Sequence, residues 1–95
     1  MARVELSNAA VEDLSRIILT HSLPPDTTAR VRVSLEPLRT FPLLGPALHG
    51  RYEGYRFLVG PWRWMILVYR FLAEDDRVVV VTIQDARSSS AVTNP

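Results

Sequence analysis

Four arginines punctuate the apolar stretch that follows residue 50: Arg51, Arg56, Arg63 and Arg70. A fifth, Arg87, follows the last apolar run in "QDARSSS". A guanidinium offers a planar fork of donors matched to two oxygens of a phosphate or carboxylate, and it stacks on flat rings. Several brought together would grip a phosphodiester backbone or a carboxylate-rich peptide. Whether they meet depends on which side of a strand each one occupies. Residues 52–59 alternate as a strand, Gly60-Pro61 breaks it, and residues 62–72 form the next. A four-residue connection would pair Leu58 with Arg63 and Arg56 with Met65. Side chains alternate along a strand and paired residues point the same way. Arg56, Arg63 and Tyr69 then share a face with Leu58, Met65, Leu67 and Phe71. Tyr55, Phe57, Trp62, Trp64, Ile66 and Val68 take the other face, the expected core side. Arg70 has that second parity and is left out of the constellation. Arg87 is expected to curl back over the open face.

The composition narrows the chemistry. The chain has 95 residues, 47% hydrophobic and 22% charged, which suits one globular domain. It has no cysteine, so disulfides, thiolate nucleophiles and Cys-type zinc sites are excluded. His21 and His49 match no ligand spacing, and no metal or cofactor is expected. The net charge is +1, yet every one of the basic residues is arginine, as G+C-rich coding alone would produce. The distribution of the arginines therefore says more than their number. The start "MARVELSNAA" lacks the apolar core of a leader, and residues 64–69, the longest apolar run, are too few to span a bilayer. A soluble cytoplasmic protein without membrane contact is expected.

The elements that must position these residues follow from periodicity. "RVEL" alternates as a short first strand. Ser7 or Asn8 caps a helix whose apolar face is Ala10, Leu14, Ile17 and Ile18, ending near His21 before Pro24-Pro25. Asp26 caps a second helix over residues 27–38, with Val31, Leu35 and Leu38 on one stripe and Pro37 to stop or kink it. Residues 39–50, rich in Pro and Gly, form a loop whose leucines pin it over the core edge. "RVVVVTIQ", residues 77–84, is a last strand, buried on both faces. The order is β-α-α-β-β-β. It predicts an α+β domain over residues 1–87: a mostly antiparallel four-stranded sheet with a helical hairpin on one face and a polar tail, 88–95.

This order resembles the RelE/ParE superfamily of bacterial type II toxin–antitoxin toxins. The resemblance lies in "LSNAAVEDL", in "LLGPALHGRYEGYRFLVGPWRWMILVYRF" and in "RVVVVTIQDAR". Leu44, Gly45, Leu48, Gly50, Tyr55, Arg56, Trp62, Arg63 and Tyr69 fit the family pattern. The resemblance implies growth inhibition restrained by a co-expressed antitoxin, with which the toxin forms a hetero-oligomer. In RelE-like members it implies mRNA cleavage at the ribosome. Arg63 would then be the mid-sheet arginine that stabilises charge on the phosphate, Arg56 and Arg51 further target contacts, and Arg87 the C-terminal basic position. His49 would serve as base and Tyr69 as acid. RelE-like nucleases usually carry a tyrosine or histidine just after the last strand, where this chain has Ser88, Ser89 and Ser90. ParE-like members lack the nuclease residues and poison DNA gyrase; a member that only binds its antitoxin is a third reading.

Overall fold

The computed structural model describes residues 1–93. The last two positions of the predicted tail, 94 and 95, lie outside the described residues. Strand β1 (Arg3–Leu6) leads to helices α1 (Asn8–Thr20) and α2 (Thr27–Leu35), then to strands β2 (Arg56–Val59), β3 (Met65–Leu72) and β4 (Arg77–Asp85). The sheet order is β1-β4-β3-β2. β1 runs parallel to β4, and the other two pairings are antiparallel. The predicted order and mostly antiparallel sheet are therefore present.

Local chemistry explains the helices. Ser7 caps α1, its hydroxyl accepting from the Ala10 N–H at 3.1 Å and donating to the Val81 carbonyl at 3.2 Å. One side chain thus starts the helix and ties it to β4. Asp13, one turn further on, accepts from the Thr82 hydroxyl at 2.5 Å and from the Ile83 N–H at 3.2 Å. The expected cap at Asp26 does not form. Its carboxylate takes Arg30 instead, and the Thr27 hydroxyl bonds the Pro24 carbonyl at 2.6 Å. α2 is shorter than its predicted span because Pro37 converts the chain to a 3-10 turn, Glu36–Arg39. The stripe of Val31, Leu35 and Leu38 is nonetheless buried.

The β2–β3 register corrects the expected one. Arg56 pairs with Tyr69, not Met65, and Leu58 with Leu67, not Arg63. The connection is longer than expected, because residues 60–64 turn outside the ladder: the Gly60 N–H bonds Met65 O and the Met65 N–H bonds Trp62 O. A four-residue change of partner keeps the parity, so Arg56, Leu58, Met65, Leu67, Tyr69 and Phe71 do share a face. The covering is the reverse of expectation. That face carries the main core, where Met65, Leu67, Tyr69, Val78 and Val80 meet Ala10, Leu14, Ile17, Val31 and Leu35 of the helices. Burial of each Val, Leu, Ile or Met side chain among them contributes about 1.5–3 kcal/mol. The set expected under the helices, Phe57, Ile66 and Val68 with Tyr55, forms a second cluster beneath Leu48, Ala91 and Val92. Trp62 and Trp64 sit in the connection and pack on the main core. Neither face of the sheet's centre is open.

Candidate functional site

The fold divides the predicted site residues among three places. The first is interior. Tyr69 is 0% exposed, and its hydroxyl accepts from the Gly45 N–H at 2.9 Å. Burial raises its pKa, against the opposing pull of that N–H and of Arg56. Arg56 donates to the carbonyls of Gly45 at 2.8 Å and Leu43 at 3.3 Å. The Phe57 N–H bonds Pro46 O, and Ala47 bridges Arg56. Arg56 and Tyr69 therefore hold the loop over β2. Of the leucines expected to pin this loop, Leu48 does so, buried in the second core, whereas Leu43 and Leu44 point to solvent.

The second place is the end of the sheet where α1, the β2–β3 connection and the end of β4 converge. Trp64 stacks on His21 with centroids 4.6 Å apart and 15° between planes. Arg87 lies 4.7 Å over the Trp64 ring, and Trp62 stacks on Trp64 at 6.3 Å. Arg30 from α2 lies 5.6 Å over Trp62. Asp85 joins the ends: it takes Arg87 Nε at 2.9 Å and Nη2 at 2.8 Å, and His21 Nε2 at 3.0 Å. A carboxylate only accepts, so His21 Nε2 carries the proton. Nδ1 stands 2.9 Å from the Thr20 hydroxyl and is engaged as well. Arg87 thus folds onto Trp64 and Asp85, not across an open face. Exposed Arg63, between the two tryptophans in sequence, has no hydrogen bond or ion pair among the described residues. Composition could not reveal the His21–Asp85 link, which spans 64 residues of chain. The aromatic spacing W-x-W was its only trace.

The third place is a groove on the second face, lined by His49, Gly50, Arg51, Tyr52, Ser89, Ser90, Ala91 and Val92. Leu48 and Ala91, both buried in the second core, anchor its two walls. The 3-10 turn Gly50–Tyr52 presents Arg51 and follows His49, both exposed. No carboxylate lines it. It joins a cation, an imidazole and serine hydroxyls from segments far apart in sequence, a donor set suited to an oxyanion. Among the described residues no cluster of metal-ligating side chains is present and no helix is long and apolar enough to cross a membrane.

Electrostatics at the β4 end sets the acid limit of stability. The Arg87 side chain, opposed by burial and aided by the Arg87 N–H and His21, holds the Asp85 carboxyl well below the usual carboxylate range. Burial raises Asp13, but the Thr82 hydroxyl, Arg16 and the Ile83 N–H outweigh it, and its pKa is lowered too. Groups with depressed folded pKa values stabilise the fold above their unfolded value, about 3.9. That contribution is lost as pH falls below it. The urea midpoint of the wild type is expected to approach those of Asp13→Asn and Asp85→Asn as pH drops from 5 to 3. A gap between wild type and variants that stays constant over this range would contradict the assignment.

The fold and the arginine- and tryptophan-rich end together define an α+β domain with a β1-β4-β3-β2 sheet. Residues 4–89 match the family described as ParE toxin of type II toxin–antitoxin system, parDE, and the chain belongs to that family. Among solved structures it is similar to the toxin–antitoxin complex RelBE2 from Mycobacterium tuberculosis, at 26% identity over 88% of this chain and 96% of that one, with a TM-score of 0.65. It is similar in fold to the chromosomal ParDE system of P. aeruginosa (14% identity, 92% and 98% covered, TM-score 0.71). The intact E. coli RelBE complex is a third such neighbour (12% identity, 93% and 100% covered, TM-score 0.68). A search of curated proteins by sequence finds no match. The chain is thus a member of the toxin family of type II toxin–antitoxin systems.

Proposed function

We propose that the toxin arrests growth by binding its target and not by cutting RNA, with DNA gyrase as that target. The observation that carries this reading is the internal commitment of Arg56 and Tyr69. Phosphoryl transfer from RNA needs a charge-stabilising cation and a proton-transfer group converging on one phosphate. Here Tyr69 is sealed beneath Gly45, Arg56 serves loop carbonyls, and Arg87 is tied to Asp85. Arg63, exposed on the tryptophan turn and without a hydrogen bond or ion pair among the described residues, is the residue assigned to contact the target.

The second reading, ribosome-dependent mRNA cleavage, is favoured by the groove that joins His49 and Arg51 to Ser89 and Ser90. The two readings separate on His49→Ala. A binding toxin keeps its growth arrest in this variant, with intact messages and a DNA-damage response. A nuclease using the groove loses activity by about 100-fold or more. RNA 5′-end mapping after induction, together with a gyrase supercoiling assay on purified toxin, makes the decision. Cleaved messages that disappear in His49→Ala, beside normal supercoiling, would replace the first reading with the second.

A further inference from the structure

β1 stands at one edge of the sheet, with β4 on its inner side. The Arg3 and Ser7 N–H groups turn inward, bonding Asp76 O at 3.0 Å and Val80 O at 2.9 Å. Main-chain groups alternate in direction along a strand, so those of Val4 and Leu6 turn outward. No hydrogen bond among the described residues meets them from outside the sheet; the Ala2 N–H, next along, bonds Arg39 O at 2.8 Å. Beside this edge runs a groove of about 360 Å³ whose far wall is Arg32, Leu35, Glu36 and Arg39. A row of unpaired donors and acceptors at a sheet edge is a template for another strand.

The side chains of β1 select which strand that is. Val4 and Leu6 pack against the main core and stay partly exposed, while Arg3 and Glu5 take the opposite face. Arg3 is exposed and lies beside Arg77 in the β1–β4 register, like charge next to like. Arg77 Nε stands 3.1 Å from a Glu5 carboxylate oxygen, whereas Arg3 has no hydrogen bond or ion pair among the described residues. A second carboxylate is wanted at Arg3, and partly exposed Glu5 has lone pairs to spare. The spacing R-x-E lets β1 supply that carboxylate to its own copy. Antiparallel pairing about a two-fold axis at Val4 sets Arg3 opposite the second copy's Glu5, and Glu5 opposite the second copy's Arg3. Opposite charges so placed stabilise a strand pair, and like charges oppose it. The two Val4 residues exchange N–H···O bonds, and each Leu6 N–H meets the other chain's Ala2 carbonyl. A strand of single charge sign would satisfy Arg3 or Glu5 but not both. We infer that β1 is a homodimerisation edge, joining two copies of this chain in one continuous sheet through an isologous contact. The pairing does not depend on how the toxin acts on its target.

Sedimentation equilibrium of the full chain over a range of concentrations tests this. Two short strands bury little surface, so a reversible dimer is expected. Arg3→Glu sets carboxylates opposite one another and should weaken the dimer about 10-fold or more; Glu5→Arg should do the same with guanidinium groups. An equimolar mixture of the two variants restores both cross-strand pairs and should form a heterodimer about as tight as the wild-type dimer. Val4→Pro removes an N–H that bonds nothing within the chain, so circular dichroism should stay native while dimerisation is lost. A wild type that is monomeric at every concentration overturns the inference. So does a dimer that the charge variants leave unchanged, since it uses another surface, and so does a mixture that fails to pair. A monomeric wild type whose binding to purified cognate antitoxin is weakened by Val4→Pro also overturns it, the edge then receiving a partner's strand.

Discussion

Gly45→Ala is expected to destabilise the fold by about 3 kcal/mol, the upper end of what overpacking costs. A Cβ at this position would collide with the Phe57 carbonyl oxygen, with the Phe57 carbonyl carbon 2.9 Å away and the Tyr69 hydroxyl 3.0 Å away. Two of these obstacles are backbone of the edge strand, so neither can swing aside. The loop must lift, and lifting it breaks the Gly45 N–H bond to Tyr69 and the Arg56 bond to Gly45 O. The Tyr69 hydroxyl would then be buried without a partner, which adds about 1–3 kcal/mol where water cannot enter. Urea denaturation should show a lower midpoint with little change in slope. Tyr69→Phe is the companion, leaving the Gly45 N–H unmet and costing about 1–3 kcal/mol. A wild-type midpoint in Gly45→Ala would mean that the loop is not held down as described.

Trp64→Ala is the second large effect, expected at about 3–5 kcal/mol. In a domain of this size each kcal/mol moves the thermal midpoint by roughly 4–8 °C. The indole is the shared surface for His21, Arg87 and Trp62. The Trp64 carbonyl also accepts from the Ala86 N–H at 2.6 Å, so the ring and the backbone together fix the start of the C-terminal segment. Its removal frees α1 and that segment at once. Trp64→Phe keeps a ring for stacking and should lose only part of this stability. Equal losses in the two variants would show that a ring stacked at this position is not what carries the stability.

The fold was legible because its elements are long and strongly patterned. Ala10, Leu14 and Ile17 repeat on a helix, and the valines of β4 fit a central strand whether or not their neighbours are known. The shared face of Arg56 and Tyr69 was also legible, since alternation survives any even change of register. What the chain did not disclose was which face the helices would cover. Both sets of side chains are apolar enough, and the choice rests on how residues 40–48 and 86–92 fold back, which no local periodicity encodes. The same limit hid the site. Tyr69 in a sequence is equally a proton donor or a buried anchor, and only the position of Gly45, 24 residues away, decides. Arg87 seemed free until Asp85, two residues earlier, proved to chelate it.

The parallel pairing of β1 with β4 has a consequence for when this chain can fold. Ser7 reaches Val81 across 74 positions of sequence, and β4 lies between β1 and β3 at the centre of the sheet. A chain that stops before residue 77 has no central strand, and its first strand has nothing to pair with. Such long-range closure is slow compared with local structure, because the intervening chain must be ordered before the contact forms. During translation the four-stranded sheet therefore cannot close until β4 has emerged, and fragments that end before it carry no complete sheet.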